Sequence, residues 1–134
     1  MACLDTCFLI DLFRGDERAA QRMLELEDSS ESMTVAAPSI MEFATGVYLA
    51  ESAREREALE KFMSAASVLP LDGESALLAG RVNAQLIKAG ESIGDLNILI
   101  GAISVTHGER LITRNIDHFR RIPDLALEGY AEHQ

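Results

Sequence analysis

Positive charge is scarce in this chain. Its 134 residues carry 12 lysines and arginines against 22 aspartates and glutamates, a formal net charge of −10. That balance excludes a protein that grips nucleic acid by charge alone, because such binding needs bases to displace counterions from phosphates. It leaves room for an enzyme whose metal ions and few arginines meet phosphate, with weak substrate affinity or a basic partner. Only Lys61 and Lys88 are lysines; the other bases are arginine, the better planar, bidentate phosphate ligand. Cysteine is also rare. Cys3 and Cys7 are the only two, and they read as small apolar or junction residues rather than metal or redox groups. No apolar run reaches the roughly 18 residues that a membrane span needs. No basic lead marks a signal peptide, so the cytosol is the expected compartment. Repeats and low-complexity linkers are absent as well.

What is present suits one domain over residues 1–134. Apolar residues make up 48% of the chain, enough to fold around a modest core. Residues 2–4 read as a strand and 6–14 as a helix with Phe8, Leu9, Leu12 and Phe13 on one face. Gly15-Asp16 interrupts, and a second helix runs to about Glu27. Met33 to Ala36 is a short strand that Pro38 is expected to end. Residues 39–50 and 53–66 read as two helices meeting near Glu51. Val68-Leu69 is a strand. Asp72 caps a helix running to Lys88, which Gly90 ends. Gly94-Asp95 opens a helix to His107. Leu111 to Thr113 is a strand, and Leu125 to Leu127 a last, weak one. Strands alternating with helices predict an α/β sandwich around a mainly parallel sheet. In such sheets the site lies beyond the carboxyl ends of the strands.

Four acidic or amide positions fall where that architecture would gather them: Asp5, Glu42, Asp95 and the Asn115/Asp117 pair. Carboxylates collected in one place repel unless a cation or a proton sits between them. Hard divalent cations take oxygen ligands, so the pattern points to metal-dependent phosphodiester chemistry. Each position also has a plainer reading. Asp5, with Thr6 beside it, would bind metal or merely cap the helix that follows. Ser39-Ile40-Met41-Glu42 fits a capping box, in which Glu42 reaches back to the Ser39 amide. Asp95 begins a helix apolar on most faces, at an end that favours an anion, as a ligand or as an N-cap. Thr113-Arg114-Asn115 follows a strand. There Thr113 would bond a neighbouring carboxylate, Asn115 would orient water and Arg114 would meet a phosphate, or the segment is a plain turn. His118 reads as surface or structural.

The segments Leu4-Asp5-Thr6, Ile40 to Gly46, Gly94 to Ile100 and Leu111 to Phe119, in that order, resemble the PIN domain. More closely they resemble the VapC-type toxins of toxin–antitoxin pairs. The likeness covers nearly the whole chain. It implies an endoribonuclease using Mg²⁺ or Mn²⁺, with Asp5, Glu42 and Asp95 as the acidic triad. Asp5 and Asp95 would hold the cation, and Glu42 would be a further ligand or would activate water. Asn115 stands where the family often has a fourth aspartate, and Asp117 is the acid available to replace that charge. Thr6 and Thr113 would support the carboxylates. Arg14 and Arg114, with Arg120 and Arg121, would contact RNA, either transfer RNA or a ribosomal RNA loop. The resemblance also implies a homodimer, with residues 39–66 contributing contacts. It implies a VapB-like antitoxin that wraps the toxin and places a basic side chain at the acidic site. The rival readings are a PIN-like binding module without catalysis and a phosphoacceptor receiver domain. The second is disfavoured because Thr113-Arg114 stands where a lysine is needed and Asp5 has no adjacent acid.

Overall fold

A computed structural model describes residues 1–130; residues 131–134, the end of the expected domain, lie outside the described residues. Five parallel strands form one sheet in the order β3-β2-β1-β4-β5. They are β1 (Ala2–Leu4), β2 (Met33–Ala36), β3 (Ser67–Leu69), β4 (Arg110–Ile112) and β5 (Leu127–Glu128). Among the described residues seven helices connect and cover them: α1 (Thr6–Phe13), α2 (Glu17–Asp28), α3 (Ala37–Ala50), α4 (Ala53–Ala65), α5 (Gly73–Lys88), α6 (Asp95–Thr106) and α7 (Ile116–Phe119). The α/β sandwich with a parallel sheet is therefore present. No helix among the described residues is long and apolar enough to cross a membrane.

The pleat divides the core. Cys3, Ala36 and Leu111 point to one side, under α5, α6 and α7. Ala2, Leu4, Val35 and Ile112 point to the other, under α1, α2, α3 and α4. Alternation along each strand makes this division, because successive side chains take opposite faces. β1 lies at the centre and is buried on both faces, so its three residues are all small or apolar. Its carboxyl end, Asp5, thus enters the middle of the sheet's upper edge.

Several local readings change. Pro38 does not end β2; it sits in the first turn of α3, where its missing N–H is no loss. α3 therefore starts at Ala37, and its N-cap Ala36 makes no side-chain cap bond. The expected Ser39–Glu42 capping box does not form, because Ser39 is already inside the helix. The bend near Glu51 is a full break: Glu51 is left-handed (φ 54°) and Ser52 caps α4. The last strand is shifted to Leu127–Glu128, where Thr113 N–H donates to Glu128 O at 3.0 Å. The segment expected as a turn after Asn115 contains the one-turn helix α7.

Candidate active site

Asp5 is the centre of the best-built polar cluster. It follows β1 with extended backbone and caps α1, its Oδ1 accepting from Thr6 N–H at 2.8 Å. Its Oδ2 accepts from Thr113 Oγ1 at 2.7 Å and from Cys7 Sγ at 3.2 Å. The capping reading of Asp5 is present in one oxygen, and the other oxygen belongs to a hydrogen-bond network with Thr113 and Cys7. Asp5 is 4% exposed and Thr113 fully buried. Burial pushes the Asp5 carboxyl above the ordinary aspartate range. The bonds from Thr113, Cys7 and the Thr6 amide pull it back, and the negative charge of Glu42 raises it further. Glu42 itself is exposed, on the second turn of α3. Burial and the Asp5 charge also push the Cys7 thiol up, so it stays a donor toward Asp5.

The segment after β4 is tied to the same point. Thr113 Oγ1 accepts from Asn115 N–H at 2.9 Å while donating to Asp5. The Asn115 side chain turns to His118, Nδ2 to Nδ1 at 2.8 Å. Arg114 is committed to Asp11 of α1 through an ion pair of 2.7 Å. Asp117 is exposed and pairs with Arg120 at 3.4 Å. Arg14 lies at the end of α1 and lines a groove with Glu42, Phe43 and Glu55.

Asp95 is not brought to this group. Its carboxylate is exposed and faces α5, 3.5 Å from Asn83 Nδ2, in a groove with Ala76 and Gly80. Helical phase explains the displacement. Ser104, fully buried and close enough to the Cys3 thiol to act on it, marks the side of α6 that meets the sheet. Asn97 lies two turns before Ser104 and shares that side. Cys3 and Asp5 share a face by the pleat, and α6 begins at the carboxyl edge of the sheet because it ends beside the start of β4. By this phase the polar residue on the sheet side of the start of α6 is Asn97, whose Nδ2 donates to Ile93 O at 2.8 Å. Sequence reasoning missed it because α6 is apolar nearly all round, which leaves the phase open. It missed Asp11 as well, though Asp11 is the one charged residue of α1.

The oxygen groups at this point are of the kind a hard cation takes: the Asp5 carboxylate, Glu42, whose charge acts on it, and the hydroxyls of Thr6 and Thr113. Thr6 Oγ1, beside Asp5, and Ser39 Oγ, in the first turn of α3, are buried without any partner. Among the described residues no three Asp, Glu, His or Cys side chains stand close enough to share a cation. A cation that uses one or two carboxylates and completes its shell with water and phosphate fits this set.

The sequence matches the PIN domain family over residues 2–125. Ribonuclease VapC19 of Mycobacterium tuberculosis is 31% identical over 125 residues, 93% of this chain and 97% of that protein. The tRNA(fMet)-specific endonuclease VapC of Salmonella typhimurium is 28% identical over 102 residues, 73% of this chain and 75% of that protein. Among solved structures, VapBC2 from Rickettsia felis bound to a promoter DNA fragment superposes with a TM-score of 0.83. It does so at 21% identity, over 97% of this chain and 98% of that one. The DNA-bound VapBC of Salmonella typhimurium gives 0.82 at 24% identity, over the same shares, 97% and 98%. At these identities the two structures speak to the fold alone.

Proposed function

The chain belongs to the PIN domain family, and from that premise we propose that it is a VapC-type toxin. In this reading it is an endoribonuclease that hydrolyses RNA phosphodiester bonds and is neutralised by a VapB-like antitoxin. The observation that carries the chemistry is Asp5. It is a carboxylate buried at the sheet's carboxyl edge, held by Thr113 and Cys7, with Glu42 near enough to raise it.

Asp5 and Glu42 would hold Mg²⁺ or Mn²⁺, with Asn97, Asn115, Thr6 and Ser39 as neutral oxygen donors around them. The ion, when bound, supplies positive charge against the phosphate and acidifies the attacking water. Thr113 and Cys7 keep the Asp5 carboxylate aimed and compensated. Glu42, exposed on α3, would be a ligand of the ion or the group that takes the proton from the attacking water. Arg114 and Arg14 flank the acidic pair and would contact RNA phosphates. Asp95 and Asp117 have no part in this arrangement. Transfer RNA is the first substrate class to test, since a relative is named for it, and ribosomal RNA the second.

Partner binding has its own support. A groove beside Glu42 is floored by Ile10, Phe13, Phe43 and Val47 and walled by Glu42 and Glu55. It suits an amphipathic segment with basic side chains, as an antitoxin would present. Exposed Met41, Tyr48 and Leu49 on α3 support a homodimer through the 39–66 region. One observation favours a second reading, a module that binds the antitoxin without cutting: among the described residues no three acidic, His or Cys side chains cluster, and Glu42 is the one acid whose charge acts on Asp5.

Expression in a bacterial host separates the two. The nuclease reading expects growth arrest, loss of arrest in Asp5→Asn, and rescue by the co-expressed antitoxin. Arrest that persists in Asp5→Asn, or no arrest from a soluble wild-type protein, contradicts it.

A further inference from the structure

Arg114 is held at both ends by one face of α1. Its backbone N–H donates to Cys7 Sγ at 3.3 Å. Its guanidinium Nη1 donates to both oxygens of Asp11, at 2.8 and 2.7 Å. Cys7 and Asp11 are four residues apart, one turn, so they present as neighbours on the helix. Asp11 is itself fixed. It is 7% exposed and also accepts from the Tyr130 hydroxyl, while the Tyr130 ring packs edge-on against Phe8.

The pair uses only one nitrogen of the guanidinium. Nη2 and Nε make no hydrogen bond to another described residue, and the Arg114 side chain is 47% exposed against 10% for Asp11. A surface arginine that served only to neutralise Asp11 would need neither the backbone grip nor an open second edge. Thr113, the next residue back, touches Asp5 directly. The open edge is therefore held one residue from the acidic centre, with little freedom left to lose on binding.

We propose that Asp11, assisted by Cys7, is a positioning residue that fixes Arg114 so that its Nη2–Nε edge receives an RNA phosphate beside the scissile bond. This rests on the ribonuclease reading above. Asp11 touches no substrate; it acts through Arg114.

The test is a cycle of four proteins: wild type, Asp11→Asn, Arg114→Gln and the double variant. Each is assayed for cleavage of a short single-stranded RNA and, separately, for its binding by fluorescence anisotropy. Asp11→Asn is expected to raise KM and weaken binding about tenfold, the scale of one charge-assisted bond, with kcat within about threefold. In the Arg114→Gln background the same change is expected to add nothing. Equal losses in both backgrounds would make Asp11 merely structural and overturn the proposal, as would a fall in kcat with binding intact. Should Asp11→Asn fail to fold, Arg114→Lys keeps the charge and loses the fork. Binding as weak as in Arg114→Gln supports the proposal, and wild-type binding overturns it. Binding that follows the cycle without any cleavage by wild type would remove the nuclease reading and leave the anchor standing. Wild type that neither cuts nor binds RNA removes both.

Discussion

Replacing Thr113 by valine deletes one hydroxyl and little else. That oxygen donates to Asp5 Oδ2 at 2.7 Å and accepts from Asn115 N–H at 2.9 Å, in a fully buried position. A bond to a charged partner is worth about 1.5–3 kcal/mol, and the orphaned, half-buried Asn115 amide costs about 1 more. The expected loss at neutral pH is therefore about 3 kcal/mol, or roughly 10 °C in Tm for a domain of this size. The loss has a pH signature. The Thr113 bond pulls the Asp5 carboxyl down against burial, so its removal lifts that group further above its unfolded value. A carboxyl raised on folding favours the folded state in acid and costs stability as pH rises through its folded pKa. The valine penalty is thus largest at neutral pH. It shrinks toward the orphaned-amide share as pH falls into the ordinary aspartate range, where Asp5 is protonated in both proteins. Thermal unfolding followed by circular dichroism near neutrality and near pH 4 (about the unperturbed aspartate pKa) reads this directly, with Thr113→Ser as the variant that keeps the hydroxyl. A Tm difference that does not change with pH would refute the link between Thr113 and the Asp5 charge.

Asp5→Asn is expected to abolish cleavage while leaving Tm at neutral pH unchanged or higher, because a buried charge facing Glu42 is removed. Any gain must vanish in acid, and a Tm loss at neutral pH would count against it. Asp95→Asn is expected to keep kcat/KM within about threefold, the effect of an exposed substitution; loss of cleavage would restore Asp95 to the site. Asn97→Asp adds a third carboxylate on the sheet-facing side of α6, so it is expected to lower the Mn²⁺ concentration giving half-maximal cleavage; an unchanged midpoint would contradict the helical phase. Cleavage by wild type is expected to fall, on acidification, at a higher pH than an ordinary carboxylate would set, because burial raises Asp5. A pH–rate profile flat down to the ordinary aspartate range would rule this out.

Much of the scaffold was legible because it rests on local signals. Gly and Asp punctuate the helices, β1 is three buried residues, and a lone acid at its end can only enter the sheet's carboxyl edge. The failures share a cause: each needed a neighbour that the local pattern does not specify. Asp95 is the acid the sequence offers at this helix start, but a helix apolar on most faces carries no phase, and it takes Ser104 lying close to Cys3 to fix one. Glu42 looked like half of a capping box because Pro38 was taken to end the strand and the helix to start at Ser39, whereas the first turn of a helix tolerates proline. Arg114 keeps its reading as a phosphate contact, but the residues that hold it were out of reach of the local pattern. Its tether to Asp11 and Tyr130 joins residues 103 and 119 positions apart, beyond any periodicity.

The central claim is that the Asp5–Glu42 edge cuts RNA with a divalent ion. The most direct test is total cellular RNA incubated with purified protein, with Mg²⁺ or Mn²⁺, with EDTA, and beside Asp5→Asn. The account predicts discrete fragments that need metal and disappear in the variant. Intact RNA under every condition, or fragments that survive both EDTA and the substitution, would contradict it.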